Sequence, residues 1–299
     1  MPQKILPVLA GISIALIFGL SFLFSKEALS SLAPLELLAH RFSLATVILV
    51  LLMVFKVIDI KFRPKMIKDL FPLVLFQPIV YFLGETYGVK QTTATEAGLV
   101  IALIPIVVTF LGNIFLHEKA TKKQWIFIWL SVIGVAMIIF SDTGVVFGEH
   151  SVGIIYLMVA VIAAAFYNIL SRKLSNTYSP IEITFVMMVT GAIFFNIINF
   201  STMPQKAVYF SAYYNYKTLL SLIYLGGLSS VVAFFLLNYM LKQLPASRAA
   251  TFINLTTIVS IIAGVGFRGE RFEIIQLLGG GLILLGVCGS NLYKPIKKE

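Results

Sequence analysis

The sequence predicts an all-α integral membrane protein with ten transmembrane helices, arranged as two inverted five-helix repeats. Three observations lead to this prediction: an apolar composition, ten apolar runs of membrane-spanning length, and an internal repeat. Of the 299 residues, 59% are hydrophobic and only 12% are charged, about half the charged share of a soluble domain. The mean hydropathy is +0.96. Because a folded soluble domain needs a polar exterior, this composition excludes a soluble enzyme, a disordered chain and a disulfide scaffold.

The apolar runs are long enough to cross a bilayer, because a helix that spans ~30 Å of hydrocarbon needs about 20 mostly apolar residues. In order they are Ile5–Phe24, Leu35–Phe55, Leu70–Tyr87, Ala94–Phe115, Trp125–Phe140, Val152–Leu170, Ser179–Phe200, Thr218–Leu241, Ala249–Phe267 and Glu273–Leu292. They do not alternate apolar and polar residues as the strands of a membrane barrel do. Ten such helices use roughly 200 residues, which leaves short loops and no separate soluble domain.

The basic residues predict the orientation, because Lys and Arg concentrate in the loops on the cytoplasmic side. With the N-terminus inside, sixteen Lys and Arg residues fall in inner segments and six in outer segments. Both termini are therefore expected to be cytoplasmic, in a multi-pass protein of the cell membrane. The formal charge of +10 is then a topology signal, and no nucleic-acid partner is expected.

The two halves of the chain repeat each other. Residues 87–91 (YGVKQ) align with residues 239–243 (YMLKQ) at an offset of 152. Further polar and glycine matches are Glu118 with Glu270 and Gly134 with Gly286 at that offset, and Lys26 with Arg172 and Glu36 with Glu182 at an offset of 146. We predict one repeat over residues 1–145 and the other over residues 146–299. Five helices is an odd number, so the copies enter the membrane from opposite faces, as in carriers with a substrate site near the midplane.

These features resemble the EamA branch of the drug/metabolite transporter superfamily. Each five-span repeat has a glutamate (Glu118 or Glu270) after its fourth span and a Gly-rich last span, and the resemblance covers nearly the whole chain. It implies a carrier whose central cavity is formed mainly by spans 1, 3, 4, 6, 8 and 9, with span 2 at the periphery. It also implies transport of amino acids, other small metabolites or toxic organic compounds, commonly outward. Glu96 departs from the family pattern, which has small or amide residues there.

Polar residues inside a span are costly and are therefore candidates for function. The third span carries Gln77, Tyr81 and Glu85 at i, i+4 and i+8, on one helical face. This face is either the polar wall of a water-filled path or a hydrogen-bonded seam between helices. The aligned positions of the eighth span are Ser229, Ala233 and Leu237. A path with such unequal halves would suit a substrate with one polar and one apolar end.

Spans nine and four supply further candidates. Thr251 and Asn254 share a face of span nine, and Arg248 stands at its inner start, aligned with Glu96 at the outer start of span four. One interpretation is that Arg248 binds an anionic group and Glu96 an ammonium group. The other is that both are interfacial residues that extend into the headgroups.

The sixth span carries Tyr167 and Asn168, which the family resemblance places toward the centre.

The remaining polar residues of the spans suggest structural roles. Glu36 follows Pro34 at a helix start, where a carboxylate stabilises the helix dipole, and His40 and Arg41 are its expected partners at the periphery. No His, Cys and Asp cluster has metal-ligand spacing, and no nucleotide-binding motif occurs. The sequence therefore predicts no cofactor and no metal.

The combined prediction is a secondary transporter, not an enzyme, that exports small organic metabolites such as amino acids. The alternative is a broad-specificity efflux carrier for drugs or toxic compounds, which 25 Phe and 12 Tyr residues permit. Proton coupling through Glu85 and Glu96 is a hypothesis for the energy source. The expected partners are a small-molecule substrate and the lipid bilayer; the oligomeric state stays open, and a monomer is compatible with the sequence.

Overall fold

The computed structural model describes residues 2–119, 121–139, 149–202, 206–253, 255–269, 274–292 and 296–297. Within these residues the chain is helical almost throughout. The helices are α1 (Pro2–Ala28), α2 (Pro34–Val54), α3 (Pro64–Val74), α4 (Tyr81–Gln91), α5 (Ala94–Ile101), α6 (Ile104–Phe115), α7 (Lys122–Ile139), α8 (Glu149–Leu174), α9 (Pro180–Thr202), α10 (Tyr216–Ile223), α11 (Phe234–Gln243), α12 (Ala246–Ile253), α13 (Leu255–Arg268) and α14 (Ile274–Leu292). A 3₁₀ helix, Lys206–Tyr213, precedes α10. Two-residue strands β1 (Glu118–Lys119) and β2 (Ile296–Lys297) pair antiparallel.

Local sequence explains where several helices begin. Proline occupies the first position of α2, α3 and α9, where its fixed φ suits a helix and its missing N–H is not needed. Glu182 Oε2 accepts hydrogen bonds from the Ser179 backbone N–H at 2.7 Å and from Ser179 Oγ at 2.9 Å. Glu36 Oε2 accepts a longer bond, 3.4 Å, from the Ala33 N–H. Both glutamates thus cap helix starts, at equivalent positions of the two repeats.

Two of the long helical rods contain a π-helical segment. Leu75–Val80 joins α3 to α4, and Tyr224–Ala233 joins α10 to α11. Gln77 interrupts the first rod with extended backbone angles, φ −146° and ψ 116°, and its peptide bond to Pro78 is cis. The two segments lie at corresponding positions of the repeats, since an offset of 152 takes Gln77 to Ser229.

Among the described residues, seven helical stretches are long and apolar enough to cross a membrane. They are Leu6–Ala28, Pro34–Val54, Pro64–Gln91, Glu96–Phe115, Ser151–Leu174, Pro180–Thr202 and Tyr216–Gln243. Two further apolar helices are shorter, Ile258–Phe267 and Leu277–Gly286. Large apolar side chains such as Ile126 and Ile197 point outward, more than 60% exposed, as expected for a surface that faces lipid. The all-helical, multi-pass membrane fold is confirmed; the count of ten spans stays a prediction.

The helices around the centre form two bundles that each mix the two repeats. In the first, which we call the α1 bundle, α1 packs against α10, α11, α12 and α13. In the second, the α8 bundle, α8 packs against α3, α4, α5 and α6. Helices α2 and α9 pack on each other beside the bundles, and α7 packs on α14. Each bundle therefore takes one helix from one repeat and a helical hairpin from the other.

Glycines allow the closest approaches within these bundles. A Cβ on Gly84 of α4 would lie 2.6 Å from the Tyr156 carbonyl oxygen of α8. A Cβ on Gly19 of α1 would lie 2.4 Å from Val259 Cβ of α13. Small residues are what membrane helices use to bring their backbones together. The central helices of both bundles are therefore fixed by close packing.

Helices α7 and α14 contact each other through repeat-equivalent residues. A Cβ on Gly134 would meet Ile283, and a Cβ on Gly286 would meet Ser131. The offset of 152 converts Gly134 into Gly286 and Ser131 into Ile283. Contacts that map onto themselves in this way are the mark of an approximate two-fold axis. An approximate two-fold axis that relates α7 to α14 therefore passes between these two helices.

We expect the substitution Gly84→Ala to destabilise the protein by about 1–3 kcal/mol, because overpacking a tight contact costs that much. Thermal unfolding of the detergent-solubilised protein measures the effect. Gly281→Ala is the matched control, since a Cβ there meets nothing within 4 Å and alanine favours a helix. Equal unfolding temperatures for the two variants would contradict the close packing of α4 on α8.

Candidate substrate-binding site

A cavity lies between the two bundles and takes its walls from both repeats. Its lining includes Phe18, Ser21 and Phe22 of α1, Arg41 of α2, Phe82 and Glu85 of α4, Asn168 of α8, Ser229 and Phe234 on the α10–α11 rod, and Thr256 of α13. Only about 30 Å³ of it is open to the centre of a water molecule, against ~300–1,000 Å³ for sites that hold drug-sized ligands. The cavity is therefore too small in this structure for a drug-sized molecule.

The polar face of the third span lies on the wall of this cavity. Gln77, Tyr81 and Glu85 all line it, and Gln77 and Glu85 are buried, each 3% exposed. Gln77 sits at the break in the helical rod, where the backbone departs from helical geometry. The three residues therefore line a common surface although the helix is broken at Gln77, and their role in binding stays a prediction.

Arg41 is the residue of this cavity that the sequence reasoning missed. Its side chain is buried, and it donates from Nε to Ser230 Oγ at 2.9 Å and from Nη2 to Ser229 Oγ at 2.8 Å. Its Cζ lies 4.4 Å from the centroid of the Phe82 ring, within the range of a cation–π contact. The expectation of a peripheral Arg41 paired with Glu36 is wrong, because α2 packs against the α10–α11 rod and delivers this side chain to the centre.

Arg41 and Glu85 line the same cavity without forming an ion pair. No contact within 4.0 Å joins their charged groups, both of which the structure describes. Glu85 accepts one long hydrogen bond, 3.3 Å, from Thr86 Oγ1. Buried charges are stable only when paired or hydrogen-bonded. The cavity therefore holds a positive and a negative group, each with capacity left for another partner.

Two further polar groups face this cavity without a partner in the described part of the chain. Asn168 donates from Nδ2 to the Ala164 carbonyl oxygen at 2.7 Å, while its Oδ1 is buried and accepts no hydrogen bond there. Thr256 Oγ1 is likewise buried without a partner. Buried polar atoms are rarely left unsatisfied. Their arrangement is that of a site which completes its hydrogen bonds with a ligand or water.

Tyr167 does not line the cavity. Its hydroxyl donates to Asn238 Oδ1 at 2.6 Å, which Ser171 Oγ also reaches at 2.7 Å. Asn238 Nδ2 in turn donates to Thr184 Oγ1 at 3.0 Å. This buried network ties α8 to α11 and α9. Its neighbour Asn168 is the residue that α8 turns toward the cavity, and a binding role for Tyr167 stays a prediction.

Glu96 belongs to a helix cap. Its Oε2 accepts hydrogen bonds from the Thr93 N–H at 2.9 Å and from Thr93 Oγ1 at 3.0 Å, and its N–H donates to Thr93 Oγ1. This capping box starts α5 and leaves Glu96 off the cavity lining. The structure therefore favours neither the ammonium-binding role nor the headgroup role that the sequence suggested.

The three candidates of span nine lie at least partly outside the described residues. Arg248 and Thr251 belong to α12 by their backbone, but their side chains lie outside the described residues, as does all of Asn254. Their roles stay predictions.

His40 lies one position from Arg41 and faces the other way. Its Nδ1 is 2.9 Å from the Tyr213 hydroxyl, and its ring centroid lies 4.1 Å from that of Tyr209, with the two rings tilted by 38°. Burial raises the pKa of Tyr213, and the neighbouring Tyr209 raises it further, so the phenol stays protonated at neutral pH. His40 thus anchors the 3₁₀ helix before α10 instead of pairing with Glu36.

Comparison with known proteins shows which family the chain belongs to. The sequence model of the EamA-like transporter family matches residues 5–140 and again residues 151–292. The chain belongs to the EamA-like transporter family. It is therefore a multi-pass membrane transporter and not an enzyme, with a small-molecule substrate and the lipid bilayer as partners.

Individual relatives agree with the family. The chain is 33% identical over 288 residues to the uncharacterized transporter YcxC of Bacillus subtilis (strain 168), covering 95% of this chain and 92% of the relative. An uncharacterized transporter of Archaeoglobus fulgidus is 30% identical over 271 residues, covering 90% and 93%. A solved crystal structure, 14% identical, aligns with a TM-score of 0.71 over 96% of this chain and 98% of its own. This last likeness shows the fold alone.

We expect Tyr167→Phe to lower the free energy of unfolding by about 1 kcal/mol, the usual net value of one buried hydrogen bond, and to leave substrate affinity unchanged. Thermal unfolding and a transport KM are the two measurements. Tyr156→Phe removes a hydroxyl from a side chain that is 38% exposed on the same helix and is the control. A raised KM in Tyr167→Phe with normal stability would instead place Tyr167 in the binding site.

Proposed function

We propose that this EamA-like protein is a secondary transporter that exports small organic metabolites such as amino acids, by alternating access between its two repeats. One observation carries the substrate class: Arg41 and Glu85 line a single buried cavity, and no contact within 4.0 Å pairs them. A ligand with one carboxylate and one ammonium group complements both. The outward direction follows the family resemblance.

The transmembrane arrangement we propose has ten spans in the cytoplasmic membrane, with repeats at residues 1–145 and 146–299 inverted relative to each other. The self-mapping contacts of α7 and α14 support a two-fold relation between the repeats. The mixed α1 and α8 bundles support it too, because each combines the first helix of one repeat with the central hairpin of the other. The excess of Lys and Arg in alternate loops supports cytoplasmic termini.

The chemistry of Arg41 suits a carboxylate. A guanidinium has five N–H donors in a planar fork, and two serines use only the Nε and one Nη2 donor. The remaining donors can bind a carboxylate with two parallel hydrogen bonds. The serines also fix the plane of the fork, so less side-chain entropy is lost when the substrate binds.

Other residues of the cavity lining suit an ammonium group and an apolar side chain. Glu85 supplies a carboxylate, and Asn168 Oδ1 supplies a buried acceptor without a described partner. An ammonium has three donors and no acceptor, so it satisfies both. Aromatic rings of Phe18, Phe22 and Phe234 line the cavity from the α1 bundle and suit the apolar part of an amphipathic substrate.

Binding and closure are coupled in this proposal, because Glu85 belongs to the α8 bundle, whereas Arg41, on α2 beside the bundles, is hydrogen-bonded to the α1 bundle. Arg41 is held by serines of the α10–α11 rod in the α1 bundle. Glu85 lies on α4 in the α8 bundle. A zwitterion that contacts both would stabilise the conformation in which the bundles are close. With no nucleotide-binding motif in the sequence, the energy comes from the substrate gradient or a coupled ion, and Glu85 is the proposed proton carrier.

The decisive experiment is counterflow into proteoliposomes with three labelled compounds of one carbon skeleton: an amino acid, its decarboxylated amine and its deaminated acid. The wild-type protein should prefer the amino acid. Arg41→Gln should lower the apparent affinity for it by about 10- to 100-fold, since a hydrogen bond to a charged group contributes ~1.5–3 kcal/mol, and should abolish the preference over the amine. Glu85→Gln should abolish the preference over the acid.

Lys68→Gln is the control, because it removes a positive charge from an exposed position on α3. If unrelated cationic dyes are transported as well as the amino acid and Arg41→Gln changes neither, the protein is the alternative, a broad drug-efflux carrier. A pH step across the same liposomes tests coupling: an unchanged pH dependence in Glu85→Gln would discard Glu85 as the proton carrier.

The inverted topology makes a separate prediction. A small tag inserted between Ser141 and Gly148, in the segment that joins the two repeats, should be accessible only from outside intact cells, and a tag at the N-terminus only after permeabilisation. Five spans in the first repeat require these opposite sides. Finding both tags on one side of the membrane would contradict the inversion.

A further inference from the structure

A lysine at the end of α1 caps a helix of the other bundle. Lys26 Nζ donates to the carbonyl oxygens of Val89 at 2.9 Å and Lys90 at 3.1 Å, and also to that of Thr92. Val89 and Lys90 belong to the last turn of α4, whose carbonyls have no partner within the helix. The ammonium group thus satisfies the end of α4 and favours its negative dipole.

An arginine at the end of α8 makes the same contact in the opposite sense. Arg172 Nη1 donates to the carbonyl oxygens of Leu241 and Lys242, each at 2.9 Å. These two residues belong to the last turn of α11. The contact again crosses between bundles, from the α8 bundle to the α1 bundle.

The two contacts are equivalent by the internal repeat. The offset of 146 relates Lys26 to Arg172, and the offset of 152 relates the two accepting positions of α4 to those of α11. The cation and its two acceptors in the last turn of the helix therefore occupy matched places in the two halves. Each cation contacts a helix of its own repeat, and that helix packs in the opposite bundle.

The contacts lie at opposite ends of the molecule. Thr92, which Lys26 contacts, packs against Gly153 near the start of α8, where a Cβ would lie 2.8 Å from Thr92 Cγ2. Arg172 stands nineteen residues further along the same helix. At 1.5 Å per residue, this places the two ends roughly 28 Å apart, close to the hydrocarbon thickness of a bilayer.

We propose that Lys26 and Arg172 are the two latches of an alternating-access cycle, one closing the outer end of the cavity and the other its inner end. Both latches are closed in this structure, and the cavity between them is small. Opening to one side requires the bundles to separate at that end, which breaks the latch there and leaves the other intact. This inference rests on the proposed inverted arrangement.

A cleft outside the Arg172 latch supports this assignment. It has about 350 Å³ open to the centre of a water molecule and is lined by Lys61, Ser175, Tyr178, Glu182 and Lys242. Lys242 is also one of the two residues whose carbonyls Arg172 holds. Release of Arg172 would therefore connect the central cavity to a hydrated, charged vestibule on the proposed cytoplasmic side.

The test uses accessibility of one cavity residue from each side of the membrane. Ser21 lines the cavity, so Ser21→Cys in a Cys288→Ser background places a single thiol there. The thiol is labelled with a membrane-impermeant maleimide in right-side-out and in inside-out vesicles. Lys26→Gln should raise the labelling rate about tenfold from the outer side only. Arg172→Gln should raise it about tenfold from the inner side only.

Matched controls separate the latches from general charge effects. Lys217→Gln and Lys173→Gln remove exposed positive side chains that make no latch contact and should change neither rate. Lys26→Arg and Arg172→Lys keep a cation at each place and should preserve the wild-type rates, which guards against variants that merely misfold. Labelling that rises on both sides, on the wrong side or on neither would overturn the proposal.

The outcome is separable from that of the proposed function, since labelling needs no substrate. Sided labelling without counterflow of any amino acid would keep the latches and reject the zwitterion site. Counterflow by the wild-type protein with no sided labelling would keep the transport function and reject the latches.

Discussion

Burying a guanidinium costs several kcal/mol of free energy unless hydrogen bonds and a suitable environment compensate. The contacts around Arg41 provide this compensation at the centre of the structure. The compensation comes from outside its own helix: two serines of the α10–α11 rod accept its hydrogen bonds, and Phe82 of α4 presents its ring. Arg41 on α2 therefore requires the α10–α11 rod of the second repeat and α4 of the first repeat to meet at one place. The cavity is the space that remains where they meet.

The mixing of repeats in the two bundles determines which parts of the molecule move relative to each other around the cavity. Because α1 packs with the hairpin of the second repeat and α8 with that of the first, a movement between bundles is also a movement between equivalent halves. Close glycine contacts hold each bundle together internally. Gly84 of α4 packs on α8, and Gly19 of α1 packs on α13. At the ends where the bundles touch, Lys26 and Arg172 make polar contacts, and such contacts can exchange with water.

Sequence reasoning succeeded where a local pattern governs the outcome. Tyr81 and Glu85 share one surface because regular helical spacing within α4 fixes which side chains share a face; Gln77 joins them although the helical rod is broken there. Glu36 and Glu182 proved to be caps because their partners lie three residues away. Arg41 was misplaced for the opposite reason: its surroundings are set by helices distant in sequence. A lone arginine inside a span was a usable signal, and the pair Ser229 and Ser230 was its unrecognised complement.

The sequence by itself determined the membrane class, the helical fold and the internal duplication, since composition, run length and periodicity are read without knowing any contact. Only the tertiary structure decided which polar residues meet at the centre, that Arg41 and Glu85 remain apart, and that Lys26 and Arg172 cap helices of the opposite bundle. The physical reason is that helix rotation and partner choice in a bilayer depend on close packing and polar contacts between helices, to which the hydrophobicity of each span contributes no preference.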